Sequence, residues 1–454
     1  MKKFLPFILF SLLPISIFAK DITNTSNILI NNNMVNSKLT DNLENTYISI
    51  NKNDQIKITN ENNIYALYIV YELNSEKGTI NNQEKSNTIG ENGFLHEYVN
   101  VKDKIGETKE ITIQYNNNVK IGEIYIFDNN EIPEFVEIWE KPLDRADLLL
   151  LSTHSDDEQL FFLGLLPTYV SKGASVQVVY FANHYDNPKR LHEQLHGLYT
   201  VGIRNYPIIG IIPDAYSESL NGAIKNIENV GLTVDDAINF QVEIIRRFKP
   251  LVVVGHDELG EYSHGQHILN THTLKIALEK TNDKTYHQES FEKYGLWDVP
   301  KTYLHLYKDN QITMNYDIPL EYFNGKTAYE VSKEGYSKHI SQQWTWFTKW
   351  INGNNNSYTK ATDIKTYSPT EFGLYRTTVG NDQNKDDMFE NLTLRKDEIK
   401  DNVKKNNNNI KNDNKDNNNE NKKTYYKKYA IYGILVTIII VFCIIIIKKN
   451  KVKN

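Results

Sequence analysis

Cysteine is almost absent: the 454-residue chain has one, Cys443. A single thiol closes no intramolecular disulfide and cannot build a cysteine-rich zinc module. A metal site in this chain therefore rests on His, Asp or Glu. An excess of positive charge is also missing, with 51 Lys and Arg against 57 Asp and Glu and a formal net charge of −6. Phosphate binding leaves a basic footprint, so no nucleic-acid partner is expected. No Gly-rich phosphate loop follows a strand-like run, which argues against a nucleotide cofactor. The length allows two to three domains, each with its own core.

Both ends carry export and membrane signals. Lys2 and Lys3 precede an apolar run from Phe4 to Phe18, with Ala19 as a small residue for cleavage. This is a signal-peptide pattern over 1–19, since the run is short for a membrane span. Residues 429–447 are apolar on every face and close on Lys448, Lys449, Lys451 and Lys453. At ~1.5 Å per residue such a helix matches a bilayer core, and a single transmembrane helix is expected with 448–454 as a basic cytoplasmic tail. Between about 396 and 428 the chain is Asn, Lys and Asp with few apolar residues, a stalk unable to bury a core. These features predict a single-pass membrane protein with its body on the extracytoplasmic side. Cys443 falls inside the predicted span.

Residues 25–130 read as short strands: Ile48/Ile50, Ile56/Ile58, Ala66/Tyr68/Val70, Ile111/Ile113/Tyr115 and Ile121 to Phe127 alternate with other residue types. With turn signals between them and no helical stretch, they predict a β-sandwich. It is read as a structural spacer or a carbohydrate-binding module. After Pro142 the pattern changes. Apolar runs at Leu148–Leu151, Val176–Phe181 and Leu251–Val254 alternate with amphipathic stretches at Glu158–Val170, Arg190–Val201 and Val234–Phe248. This predicts an α/β domain over 143–395, a Rossmann-like parallel sheet with helices on both faces.

In such sheets ligands collect at the carboxyl ends of the strands. Thr153-His154-Ser155-Asp156-Asp157-Glu158 follows the first strand. His256-Asp257-Glu258-Leu259-Gly260-Glu261-Tyr262-Ser263-His264-Gly265-Gln266-His267 follows the third. His154 and Asp157 are three apart, as are His264 and His267, so each pair can face one point from a helical first turn. Two imidazoles and a carboxylate with one open position suit catalytic zinc, and His154, Asp157 and His267 fit. Zinc there would lower the pKa of a bound water to roughly 7. Asp156 is placed as a general base, His264 as an oxyanion-side donor and Tyr262 as a second donor. The chemistry is amide hydrolysis.

The segment from His154 to Glu158 resembles the HPDDE signature of the LmbE-like (PIG-L) de-N-acetylases. The segment from Asp257 to His267 is similar to that family's second motif, ending in H-x-x-H, and Arg190 and Glu193 match its Arg-x-x-Glu helix. The likeness runs from about Ala146 to Leu278, with a softer one through Ser341-Gln342. It implies a Rossmann-like fold, zinc, and removal of an N-acetyl group from a glucosamine-containing substrate. It also implies the same roles for His154, Asp157, His267, Asp156 and His264, with Arg190 and Asp257 as substrate-binding residues. Ser155 stands where the family usually has Pro. That change removes stiffness but no ligand.

Two other functions compete. His192-Glu193-Gln194-Leu195-His196 matches the H-E-x-x-H zinc-protease signature, with His192 and His196 as ligands and Glu193 activating water. A catalytically decayed glycan-binding protein would also account for a sandwich and the Ser155 departure. The aromatic stretch with Trp344, Trp346, Phe347 and Trp350 is read as core rather than a sugar platform. His184, His305 and His339 are read as isolated rings with local hydrogen bonds. Asn24, Asn355 and Asn391 head glycosylation sequons. The favoured reading is a surface-anchored zinc amidase acting on an N-acetylated amino sugar.

Overall fold

Side chains that alternate between buried and half-exposed, as in Ile56–Thr59 and Glu110–Tyr115, produce the first layer pair of the structure. A computed structural model describes residues 21–35, 38–343 and 346–396. All strands of the N-terminal region pair antiparallel. Six form one sheet in the order Asn33–Met34, Asn27–Ile30, Ile56–Thr59, Glu110–Tyr115, Gly78–Asn81 and Ser86–Ile89. Four form another: Ile48–Ile50, Val119–Phe127, Ala66–Tyr71 and His96–Asn100. Every strand expected from the alternation is present. The expectation of no helix here fails at one place: Asn100 caps a short helix, Val101–Ile105, through its side chain and Asp103 N–H.

The α/β sheet is built on runs with no exposed face. Its strands are β1 (Leu148–Ser152), β2 (Val176–Tyr180), β3 (Val252–Gly255), β4 (Lys301–His305), β5 (Gln311–Thr313) and β6 (Glu371–Thr377), in spatial order β2-β1-β3-β4-β6-β5. The first four are parallel, and β6 and β5 close the edge antiparallel. The relevant helices are α1 (Asp157–Leu160), α2 (Pro188–Thr200), α3 (Val234–Phe248) and α4 (Gly265–Lys280). Leu149, Leu151 and Val253 pack with Ile245 and Phe248 of α3 and Leu274 and Leu278 of α4. Strand alternation turns Leu148 and Leu150 to the other face, where they too are fully buried. Both faces of the sheet are therefore covered, as a parallel sheet requires.

One expected helix differs. Glu158–Val170 is not continuous: α1 ends at Leu160 and a second helix runs Leu165–Ser171. Gly164, at φ 86, separates them, and a Cβ there would sit 2.4 Å from the Tyr316 ring. The described residues through Leu392 form one compact unit that contains both the sandwich strands and the α/β sheet. Among the described residues no helix is long and apolar enough to cross a membrane. The signal peptide, the stalk from 397, the span at 429–447 and the basic tail lie outside the described residues.

Because β1 and β3 are adjacent, with Leu148 opposite Val252 and Leu150 opposite Val254, the loops leaving them emerge side by side. Loss of packing beneath them should weaken the whole unit. Leu150→Ala is expected to cost about 2–5 kcal/mol, read as a lowered midpoint in urea denaturation; an unchanged midpoint would remove Leu150 from the core.

Candidate active site

The loop after β1 is fixed from below before it presents any chemistry. Thr153 N–H donates to His256 Nε2 at 3.0 Å, and Asn270 of α4 donates to Thr153 Oγ1 at 2.9 Å. His154 then turns back, its backbone N–H donating to Asp157 Oδ2 at 2.7 Å. On the β3 side, Gly260 adopts φ 66, and a Cβ there would meet the His264 carbonyl and Ile268 at 2.7 Å. Tyr262 and Ser263 follow at φ 45 and 61 before His264 caps α4. These left-handed residues fold the segment back over the sheet end.

Three of the residues singled out in the sequence meet at one point. His154 Nδ1 lies 3.1 Å from His267 Nε2 and 3.2 Å from Asp157 Oδ2, and His267 Nε2 lies 3.2 Å from the same oxygen. Each ring is held by its other nitrogen. His154 Nε2 meets Gln266 Oε1 at 2.8 Å, and that amide is oriented by its own N–H bond to the Pro213 carbonyl. His267 Nδ1 meets Glu261 Oε2 at 2.8 Å. Both rings thus keep an in-plane nitrogen aimed at the common point. Tetrahedral zinc ligands stand about 3.3 Å apart, so a triangle with 3.1–3.2 Å edges fits such an ion. Burial opposes charge on His267, yet Asp157 and Glu261 hold it up at about 10. Burial also opposes charge on Asp157, but His267 and His154 hold it well below the usual carboxylate range. Without a cation, a proton fills the place.

Asp156 lies beside this triangle in a strained backbone conformation, φ 121 and ψ −26. Burial raises its carboxyl to about 7 against the pull of Arg190, with Asp157 adding to the rise. A divalent charge next to it would draw that value down. His264 stacks on His267 with ring centres 4.6 Å apart. Its Nδ1 accepts Gln266 N–H at 3.2 Å, so the neutral ring carries its proton on Nε2 and is a donor. Burial, with the neighbouring His154, keeps that ring neutral. Tyr262 stands edge-on to His264 and His267 at 5.3 and 5.6 Å.

The two expected substrate-binding residues sit differently. Arg190 is occupied by protein groups: Nη2 donates to the Ser155 carbonyl at 2.7 Å and lies 3.4 Å from Asp156 Oδ1, while Nη1 donates to Asp214 at 2.6 Å. It positions Asp156. The Asp257 carboxylate accepts Leu259 N–H at 3.2 Å and closes the turn before Gly260 rather than joining the triangle. Ser155 is held as firmly as a proline: its N–H donates to His184 Nε2, and its hydroxyl to the Arg190 carbonyl. Proline has no N–H to make the first of these bonds.

Several supports escaped the sequence reading. The buried Glu261 carboxylate accepts from His256 and His267 at 2.8 Å each and from His305 at 2.6 Å. His339 meets Glu158, and His184 meets Asp214. None of His184, His305 and His339 is isolated. The aromatic stretch is core only in part: Trp350 is half-buried against Phe161, whereas Trp346 is 54% exposed and stands 5.8 Å from Tyr262. Tyr216, 60% exposed, is edge-on to His264 at 5.2 Å. Trp344 lies outside the described residues. The H-E-x-x-H residues do not form a protease site. Both Glu193 oxygens are taken by Ser341, at 2.8 and 2.5 Å, while His192 and His196 face the sandwich.

The segment that carries this geometry, residues 149–278, matches the PIG-L family, described as GlcNAc-PI de-N-acetylase. Residues 149–278 are thus PIG-L-like. A 1D-myo-inositol 2-acetamido-2-deoxy-alpha-D-glucopyranoside deacetylase 2 from Saccharopolyspora erythraea is 30% identical over 178 residues, covering 34% of this chain and 63% of the relative. A 1D-myo-inositol 2-acetamido-2-deoxy-alpha-D-glucopyranoside deacetylase from Geodermatophilus obscurus is 27% identical over 179 residues, covering 34% of this chain and 60% of the relative. The chain thus spans about three fifths of the length of these curated relatives. Among solved structures, the N,N'-diacetylchitobiose deacetylase of Pyrococcus horikoshii covers 51% of this chain and 85% of its own at 15% identity, with a slight TM-score of 0.36.

In this PIG-L-like segment the Glu261 carboxylate orients the His267 ring through Nδ1. Glu261→Gln is expected to weaken zinc binding about 10–100-fold, measured by competition with a chromophoric chelator. Zinc uptake should also release protons and strengthen as pH rises toward 10, because the proton held by His267 must leave. Affinity flat between pH 6 and 9 would contradict this.

Proposed function

We propose that the PIG-L domain is a zinc-dependent de-N-acetylase that hydrolyses the acetamide of a glucosamine-containing glycan or glycoconjugate. The observation that carries this reading is the His154–Asp157–His267 triangle with Asp156 beside it. The residues fit zinc by donor type and by spacing. When bound, it supplies Lewis acidity to the scissile carbonyl and acidifies a water. The remaining work belongs to the chain. Asp156, a buried carboxylate positioned by Arg190, takes the proton of the attacking water and returns it to the leaving amine. His264 Nε2–H is the donor facing the developing oxyanion, and the Tyr262 hydroxyl is placed as a second. The exposed Trp346 and Tyr216 rings, each against a site residue, offer apolar faces for a sugar ring.

The relatives' names point to N-acetylglucosaminyl inositol and N,N'-diacetylchitobiose as first substrates to try. Support against a decayed glycan-binding protein comes from the close approach of His154, Asp157 and His267 and from the hydrogen bonds that Ser155 makes. We further propose that the domain works outside the membrane, exported by residues 1–19 and tethered through 429–447; the support is the charge and apolar pattern of those segments.

Asp156→Asn is expected to lower acetate release from these substrates about 10²–10⁴-fold while zinc content stays at the wild-type level. Asn tolerates left-handed backbone, so the fold should survive. A variant that keeps its rate removes Asp156 as the base, and one that loses zinc moves it into the ligand set.

A further inference from the structure

The catalytic site leaves one group of metal-ligating side chains unused, and it includes both histidines of the H-E-x-x-H segment. His192 and His196 lie one turn apart on α2 and face the N-terminal sandwich. His96, at the start of strand His96–Asn100, is fully buried and meets His192, Nε2 to Nδ1, at 2.8 Å. The rings stack at 5.1 Å. Glu137, in the segment joining sandwich and sheet, contacts His96 Nδ1 at 3.0 Å and His196 Nδ1 at 2.7 Å. Glu44, from the loop before Ile48–Ile50, contacts His196 Nε2 at 2.9 and 3.1 Å. Three imidazoles and two carboxylates from four separate parts of the chain are thus gathered at one interface.

We propose that His96, His192 and Glu44 form a second divalent transition-metal site, zinc by donor type, clasping the sandwich to α2. A Glu44 oxygen and one ring nitrogen of each of His96 and His192 lie within 4.8 Å of one another. The orientation of the set repeats that of the catalytic triangle. Glu137 accepts His96 Nδ1–H and Trp139 Nε1–H, which leaves His96 Nε2 as the ligand atom, as Glu261 does for His267. His196, between Glu44 and Glu137, holds the Glu44 carboxylate in place.

The ligand atoms lie inside the protein: His96 is fully buried and His192, whose Nδ1 faces His96 Nε2, is 3% exposed. A cavity of about 480 Å³ lined by Glu44, Glu137 and His196 reaches the Glu44 side of the cluster. Metal entry needs the His96–His192 pair to open by roughly 0.5 Å to reach tetrahedral spacing. With Glu193 held by Ser341, the site lacks a base for water. Its role is therefore to join, not to cleave.

The test is metal stoichiometry and does not depend on the reaction proposed for the catalytic site. The metal-stripped full chain, titrated with zinc at neutral pH, should take up two equivalents. His192→Gln should remove one and leave deacetylation intact; Asp157→Ala should remove the other. In the Asp157→Ala background, cobalt should give a visible absorption that His192→Gln abolishes. Glu137→Gln should weaken this site alone by about 10–100-fold. Should His192→Gln fail to fold, Glu44→Gln at a half-exposed position serves in its place. A wild-type chain that binds one equivalent, lost on Asp157→Ala, overturns the proposal, as does a folded His192→Gln or Glu44→Gln that still binds two.

Discussion

A buried carboxylate must be neutralised or fully hydrogen-bonded, and Glu261 imposes that constraint on everything around it. It is fully buried, and its lone pairs accept from His256, His267, His305 and the Asp257 N–H. Each partner belongs to a different piece of the site. His267 is a metal-facing ring on α4, and His256 holds the β1 loop through Thr153. His305 ends β4 and also donates to the Ser368 carbonyl. Removing any one would strip a hydrogen bond from this buried carboxylate, a loss of about 1–3 kcal/mol. The site is therefore rigid before any substrate or ion arrives, which is what preorganised electrostatic catalysis needs.

That rigidity is also what keeps strained backbone in place. Asp156 at φ 121 and Tyr262 at φ 45 are conformations a chain leaves when it can. Asp156 is held through its backbone N–H to Glu158 and its side chain near Arg190. Tyr262 is held between Glu261, whose bonds fix it from one side, and His264, which caps α4 from the other. In both places strain turns a side chain toward the ligand triangle that a relaxed turn would direct elsewhere.

The strand ends were legible because a run apolar on both faces fits a strand buried in a parallel sheet, and a His/Asp cluster closing such a run marks its functional rim. Spacing alone placed His154, Asp157 and His267 together, and the paired strands β1 and β3 supply the adjacency that spacing assumed. Other contributors were illegible for identifiable reasons. Glu261 reads as one acid in an acidic loop, since its role depends on positive φ at Tyr262 and Ser263, which those residue types do not advertise. Asp214 reaches His154 from a connection whose course no periodicity predicts, and Gln266, between the two histidines of the second motif, gives no sign in the sequence of the ring it meets. Arg190 was visible as a charged helix residue, but which partner it would meet was a matter of tertiary packing. The break at Gly164 and the exposed Trp346 follow the same rule: local pattern defined the element, and neighbours decided its limits and its surroundings.

Helix α2 shows how one short element serves several demands at once. At ~100° per residue, His192 and His196 lie about 200° and 240° around the axis from Arg190, whereas Glu193 lies within about 60° of it on the near side. Arg190 and Glu193 therefore share a face and bind the α/β unit, one at Ser155 and Asp156, the other at Ser341. The opposite face carries the two imidazoles to His96, Glu137 and Glu44. An α-helix of 13 residues does not twist between its faces. The contact that seats the sandwich and the contact that orients the candidate base are thus fixed to one rigid body. A Lys in place of Arg190 would keep the charge but lose the fork that grips both the Ser155 carbonyl and Asp214, because a single ammonium cannot reproduce its planar geometry.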